Sequence, residues 1–287
     1  MRLARGQPGQ LAERLIRARA LSTSGSVGEP LRLACAVLEH QLARSGTSTV
    51  TAAAALLAAA ARAHAAAGRF PLLDVEVVLD PLLAELERGV LALSDRAPEP
   101  LAEVGRELAA LPAGFRLDVM RTWADDLTLV DPRAGFWLQV AAGPMLELAA
   151  TAIAVPGADL WQGAACPACG GPPQVSVIAE RSGEFLGGSP RWLVCSRCAT
   201  WWGYPRATCP ACGEDDPTRL SPFQADGWPW VRVDGCGSCG GYTKTFDLRQ
   251  DGARDVIPLI DDIASLALDL WAHAQGLHRP TVSLAGV

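Results

Sequence analysis

The chain has 287 residues, 49% of them hydrophobic, with 25 basic against 31 acidic side chains and a net charge of −6. That is apolar material for one large domain or two ordinary ones, and the acidic balance removes the counterion-release gain that drives non-specific nucleic-acid binding. Met1 to Pro8 carries no apolar leader core, and Arg14, Arg17 and Arg19 interrupt the next stretch of chain. The sequence therefore predicts a mature protein beginning at Met1 in a reducing cytoplasm.

Residues 1–162 read as an all-α helical bundle of six or seven helices. Leu11, Leu15 and Ala18 lie on one helical face, and residues 31–42 repeat the pattern behind a start signal at Pro30. Residues 51–67 are rich in alanine, the strongest helix former, and end at Gly68. Asp80-Pro81 predicts an N-cap and first helical residue for a helix through Leu93. Residues 101–111, 115–126 and 133–153 are the next predicted helices. The apolar stretch 52–61 is short and ends at Arg62 and His64, and 136–155 is interrupted by Gln139, Pro144 and Glu147, so a buried core helix is expected and no membrane insertion.

Composition changes at Pro156-Gly157. Short β-rich runs at 174–178, 191–194 and 242–246, punctuated by Gly and Pro, predict strands in hairpins. Gly187-Gly188 reads as an ordinary turn. A final helix is expected after a cap at Asp261 or Asp262, with Ile263, Leu266, Ala267 and Leu270 as its apolar face.

Eight of the nine cysteines form four Cys-x-x-Cys knuckles, at 166/169, 195/198, 209/212 and 236/239. Two intervening residues let both sulfurs of a tight turn face one ion, and two knuckles supply four thiolates in a tetrahedron suited to zinc or iron. The intervals are 25 residues from Cys169 to Cys195, 23 from Cys212 to Cys236, and 10 from Cys198 to Cys209. Near-equal long loops and the repeated Cys-Pro-Ala-Cys-Gly predict a duplicated unit. Cys166, Cys169, Cys195 and Cys198 then form one site, and Cys209, Cys212, Cys236 and Cys239 the other, with an interleaved pairing as the alternative. His40, His64, His273 and His278 all lie outside the window, which favours all-cysteine sites. Cys35, among Leu31, Ala34 and Leu38, reads as a small buried apolar residue.

The expected architecture is α+β and multidomain: an all-α domain over 1–162, a first zinc-ribbon module over 163–206, and a second over 207–287 with a C-terminal helix. Units of this size need the metal to hold them together. Six of nine tryptophans fall between Trp161 and Trp230, and most read as small-core fillers around the sulfurs. Trp202, Arg206, Tyr242 and Lys244 are the candidates for a partner-docking surface. Residues 164–247 hold seven basic and eight acidic side chains, against a nucleic-acid-binding ribbon. Glu214-Asp215-Asp216 reads as a solvated turn. No catalytic set emerges, because a four-thiolate metal has no open position for water.

The motif set resembles the formate dehydrogenase accessory protein family, FdhE. The resemblance runs through Cys166-Pro167-x-Cys169-Gly170, Ser176-Val177, Leu193-x-Cys195-x-x-Cys198-x-x-x-Trp202 and Arg206-x-x-Cys209-x-x-Cys212. It continues through Cys236-x-x-Cys239-Gly240-x-Tyr242-x-Lys244 and Asp261-Asp262-x-Ala264-Ser265-Leu266-x-Leu268-Asp269. Gly203, Thr208 and the tail after Gly276 depart from the family's usual residues. The resemblance implies a cytoplasmic, non-enzymatic maturation factor that contacts the catalytic subunit of a respiratory formate dehydrogenase before export. It implies rubredoxin-like sites associated with iron. A homodimer is left open, and a rubredoxin-like electron carrier and a nucleic-acid-binding ribbon are the competing readings.

Overall fold

The computed structural model describes residues 11–23, 27–126, 129–157, 160–178, 189–249, 256–281 and 283. The turn expected at Gly187-Gly188 lies outside them. The N-terminal part is helical, as its periodicity predicts: α1 (Leu11–Ser22), α2 (Gly28–Ser45), α3 (Ser48–Ala66), α4 (Leu79–Leu93), α5 (Glu99–Ala110), α6 (Ala113–Asp125) and α7 (Pro132–Thr151). Gly68, with φ +62°, ends the alanine-rich α3 by entering the left-handed region that L side chains avoid. Asp80 is not the cap of α4. A 3-10 turn at Val75–Val78 leads directly into the helix, whose flanking residue is Val78, and Asp80 sits inside its first turn. Asp74 caps the 3-10 turn instead, its carboxylate accepting from the Glu76 amide at 3.0 Å.

By length and composition, α3 is the one helix among the described residues able to cross a membrane. It packs through one face, burying Val50, Ala53, Ala54, Leu57, Ala58 and Ala61, with 33% of its apolar window buried. The centre of the bundle is α7, almost wholly buried despite an internal proline. Pro144 lacks the N–H that would bond to the carbonyl four residues back. The buried Gln41 side chain supplies the replacement, donating to Val140 O at 3.2 Å. Gly143 makes the approach possible, since a Cβ there would lie 2.5 Å from Gln41 Nε2.

A second close approach fixes α5 against α7. Trp137 donates its indole N–H to Leu101 O at 2.8 Å. An added Cβ on Gly105 would come within 2.5 Å of the Trp137 ring. A fully buried ring cannot swing aside, so Gly105→Ala is expected to cost about 1–3 kcal/mol by overpacking, read in urea denaturation.

The C-terminal part builds one six-stranded sheet in the order β3-β2-β1-β6-β5-β4. Its strands are β1 (Pro173–Ile178), β2 (Arg191–Cys195), β3 (Trp201–Tyr204), β4 (Leu220–Gln224), β5 (Val231–Cys236) and β6 (Tyr242–Asp247). The expected runs at 174–178, 191–194 and 242–246 are strands, and β3, β4 and β5 join them. Each module is a three-stranded antiparallel meander. The modules are fused into one sheet by parallel pairing of β1 with β6, Val175 opposite Lys244 through Ile178 opposite Asp247.

The C-terminal helix is broken at Ser265 into α8 (Pro258–Ala264) and α9 (Leu266–Ala274). Asp261 is inside α8, and its carboxylate reaches back to the Ile257 amide at 2.8 Å. Asp262 is buried one residue on and caps nothing. The break turns the expected apolar face. Ile263 is buried, but α9 buries Leu268, Asp269 and Ala272 and leaves Leu270 exposed. α8 contacts α1, α2 and β1, and α9 contacts β5, so this pair joins the helical body to the sheet. A bidentate Arg17–Asp261 ion pair at 2.6 and 3.1 Å reinforces the junction of α1 with α8.

Candidate metal centre

Each module repeats one local plan. A knuckle precedes the first strand, a second knuckle closes the second strand, and the third strand comes after it. Cys195 ends β2 opposite Pro173, and Cys236 ends β5 opposite Leu220. Three knuckles close through a left-handed glycine, Gly170, Gly213 and Gly240, at φ +74°, +79° and +72°. The fourth has Ala199 there, at φ 56°. The turn demands this conformation whichever residue occupies it.

The eight thiols gather in the two groups that the spacing suggests. In each group the four sulfurs lie within 4.8 Å of one another. Sγ–Sγ distances are 3.6 Å for Cys166–Cys198, 3.4 Å for Cys169–Cys195, 3.9 Å for Cys209–Cys239 and 3.7 Å for Cys212–Cys236. A tetrahedron with metal–sulfur bonds of about 2.3 Å has edges of about 3.8 Å, so both cages fit one ion. All nine cysteines are free, and Cys35 is buried in α2. Backbone amides point at the sulfurs: Arg197 N to Cys195 Sγ at 3.3 Å, Ala211 N to Cys209 Sγ at 3.4 Å and Gly241 N to Cys239 Sγ at 3.3 Å. Such bonds stabilise thiolate charge.

The chemistry of the first set also fits a cation. Burial pushes the Cys166 and Cys198 thiols well above their ordinary range. Cys169, accepting from Cys166, Cys195 and Cys198, is drawn well below it. Four thiols packed away from water cannot all release protons unaided, and a divalent ion compensates the resulting charge.

The surroundings of the two sites differ. The first is set into the core of the helical body. Leu72 and Leu73 amides donate to Pro167 O and Ala168 O at 3.0 and 2.7 Å, and the Gln139 amide donates to Ser196 O at 2.5 Å. The Arg197 guanidinium stacks on the Trp123 ring, 4.1 Å from its centroid, and donates to Trp123 O and to Ala124 O, the latter at 3.1 Å. The knuckles of the second site bond within the C-terminal part: Cys209 N to Glu214 O, Gly237 N to Arg219 O and His278 N to Gly240 O.

Three of the four expected docking residues face inward. Trp202 is 1% exposed and donates to Gly163 O at 3.1 Å. Tyr242 donates its hydroxyl to Asp269 Oδ1 at 2.8 Å. Lys244 is buried with Nζ 2.8 Å from Asp262 Oδ1 and 2.5 Å from Asp269 Oδ2. Only Arg206 is exposed, its guanidinium donating to Ser189 O at 3.3 Å. The reason is the sheet: β6 is covered on both sides, so a pleat position that looks polar in sequence meets the α8–α9 pair. Arg279 completes the buried cluster, 2.8 Å from Asp262 and 3.3 Å from Asp269. Sequence reading missed this network, although Lys244 alternates with Tyr242 and Phe246 on one pleat face, which marks it as inward. Of the clustered tryptophans, only Trp202 is fully buried; Trp161, Trp192, Trp201, Trp228 and Trp230 are half-buried. Of the expected solvated turn, Asp215 and Asp216 are exposed, whereas Glu214 is half-buried, its carboxylate accepting from the Asp215 and Asp216 amides at 3.1 and 2.9 Å and from Ser238 Oγ.

Fold and site together define a two-ribbon protein with paired four-cysteine metal-type cages, attached to a helical body. Residues 165–206 match the family model for the FdhE central domain, and residues 207–285 match that for the FdhE C-terminal domain. Residues 165–285 thus carry the two consecutive FdhE domains that define the family match. A protein FdhE homolog of Shewanella oneidensis is 32% identical over 204 residues, covering 69% of this chain and 60% of the relative. One from Aquifex aeolicus is 39% identical over 118 residues, 41% of this chain and 40% of the relative. The matched part thus spans between two fifths and three fifths of the length of these relatives. The crystal structure of the FdhE protein from Pseudomonas aeruginosa shares the fold over 99% of this chain and 97% of that one, with TM-score 0.67 and 22% identity.

Proposed function

We propose that this chain is an accessory factor for the maturation of a respiratory formate dehydrogenase, acting in the cytoplasm by binding the catalytic subunit before export, without catalysis of its own. The observation that carries this reading is the coincidence of the two FdhE domain matches with the two four-cysteine cages. In this reading each cage holds one ion, iron or zinc, and the ions order two ribbons that present a binding surface. Of the residues first expected to dock the partner, Arg206 is the one the reading keeps, since it alone is exposed.

The test is genetic and biochemical. Deleting the gene in its native host is expected to abolish respiratory formate dehydrogenase activity, with restoration by the intact gene. A tagged copy is expected to recover the catalytic subunit. Unchanged activity in the deletion strain, with no recovered subunit, refutes the reading. Elemental analysis of natively purified protein decides between iron and zinc. Thiolate-to-iron charge-transfer bands that vanish on reduction and return on oxidation support the electron-carrier reading.

A further inference from the structure

The two cages are alike in their sulfurs and unlike in everything around them. Cys166, Cys169, Cys195 and Cys198 are 1%, 3%, 0% and 0% exposed. All four belong to the large apolar core that also contains Trp123, Trp137 and Trp202. Opening that cage breaks the bonds from Leu72, Leu73, Gln139 and Arg197, so it requires displacing the helical body. A cavity of about 320 Å³ reaches the first cage at Cys169 alone, between Phe70, Pro71 and Leu73.

The second cage lies at the surface. Cys212 is exposed and Cys239 half-buried. Its cysteines belong to neither apolar core among the described residues. A cavity of about 210 Å³ opens on Cys209 and Cys236 and is lined by Arg191, Arg206 and Arg232, with Asp234 as its one carboxylate. Arg191 is 3% exposed; its Nη2 makes no hydrogen bond but lies 3.9 Å from Asp234 Oδ2, so three guanidinium groups face one carboxylate. Incoming ligands that carry negative charge are favoured there. Local opening is cheapest where few buried contacts must break, and the second cage meets that condition.

We propose that the second cage is the ligand-exchange site of the molecule: its ion is the one open to small anionic thiols or chelators, Cys212 is the thiolate that leaves first, and the first ion is locked by the helical body. Exchange conserves charge and redox state. An incoming thiol bonds the ion through its sulfur and releases its proton, and the Cys212 sulfur–metal bond breaks, the departing thiolate taking up that proton. The inference rests on the reading that both cages hold metal, and it is independent of any formate dehydrogenase.

The full-length protein, loaded with zinc and counted by native mass spectrometry, is exposed to excess EDTA with iodoacetamide present. A one-zinc species is expected to accumulate. Label should appear first on Cys212, then on Cys209, Cys236 and Cys239. Cys166, Cys169, Cys195 and Cys198 should stay unlabelled at least about tenfold longer. Cys212→Ser is expected to retain one zinc and an unchanged helical circular dichroism spectrum. Both ions leaving together, first-cage cysteines labelling as early as Cys212, or Cys212→Ser losing both ions overturns the proposal. A two-zinc protein that shows this order but recovers no formate dehydrogenase subunit upholds it while removing the functional reading. A protein that takes up no zinc overturns it together with the metal reading.

Discussion

Cys198→Ser is expected to cost the protein one bound ion and most of its tertiary order. Cys198 is fully buried, 3.6 Å from Cys166 Sγ and 3.1 Å from Thr200 Oγ1. A structural zinc in a small module contributes on the order of 10–16 kcal/mol of apparent binding energy. Whole domains are stable by only about 5–15 kcal/mol. The first cage is also where α6, α7 and the 70–73 segment meet the sheet, so its loss is felt on both sides of the junction. Trp123, Trp137 and Trp202 are all at most 1% exposed and report it. The expected readout is a red-shifted tryptophan emission, a broadened thermal transition and a metal content lowered by one. An unshifted emission spectrum with both ions retained would sink the prediction.

Lys244→Met is expected to destabilise the protein by about 3–5 kcal/mol, the range for breaking a buried ion pair by removing one partner. The ammonium group is held by Asp262 and Asp269, by Asp262 O at 2.6 Å and by Ser265 Oγ at 3.1 Å, with no water access. Its removal leaves two buried carboxylates facing the single guanidinium of Arg279. Neutralising one of them in the double variant Lys244→Met with Asp269→Asn should recover part of the loss, because the remaining charges then balance. Urea denaturation of the four proteins in that cycle measures the coupling.

The same cluster sets an acid dependence. Burial raises the Asp262 carboxyl, but Arg279 and Lys244 more than offset it, so its pKa lies below the ordinary 3.8. A carboxylate lowered on folding contributes stability that is present above its unfolded pKa and is lost as pH falls through the folded one. The stability of the intact protein should therefore decline below about pH 4. The decline should be shallower in Lys244→Met, where one of the two cations holding Asp262 ionised is gone.

Legibility in the sequence tracked the range of the interaction. Helices α1 to α7 were readable because a 3.6-residue period is a local property, and Gly68 ends α3 through its own backbone. The knuckles were readable because two sulfurs separated by two residues meet within one turn. Asp80 misled because Asp-Pro is a cap signal only when the preceding residues are extended, and here they form a 3-10 turn. The faces of α8 and α9 were misread because a single continuous helix was projected through Ser265. Its hydroxyl instead bonds Asp261 O and Asp262 O at 2.9 and 3.0 Å and marks the break. Trp202, Tyr242 and Lys244 looked like docking residues because their types suit interfaces, and residue type does not reveal which side of a strand is covered.

By itself the amino-acid order determined the helical half and the knuckles, which depend on neighbours a few residues apart, and through matched loop lengths it favoured one grouping by fours over the interleaved one. Tertiary structure alone decided that the ribbons share a sheet through β1 and β6, that Lys244 lies among buried carboxylates, and that one cage is sealed while its twin meets solvent. Those outcomes depend on which surfaces cover one another across the chain. Burial is a property of the assembled neighbours, and two identical spacings of cysteine carry no record of it.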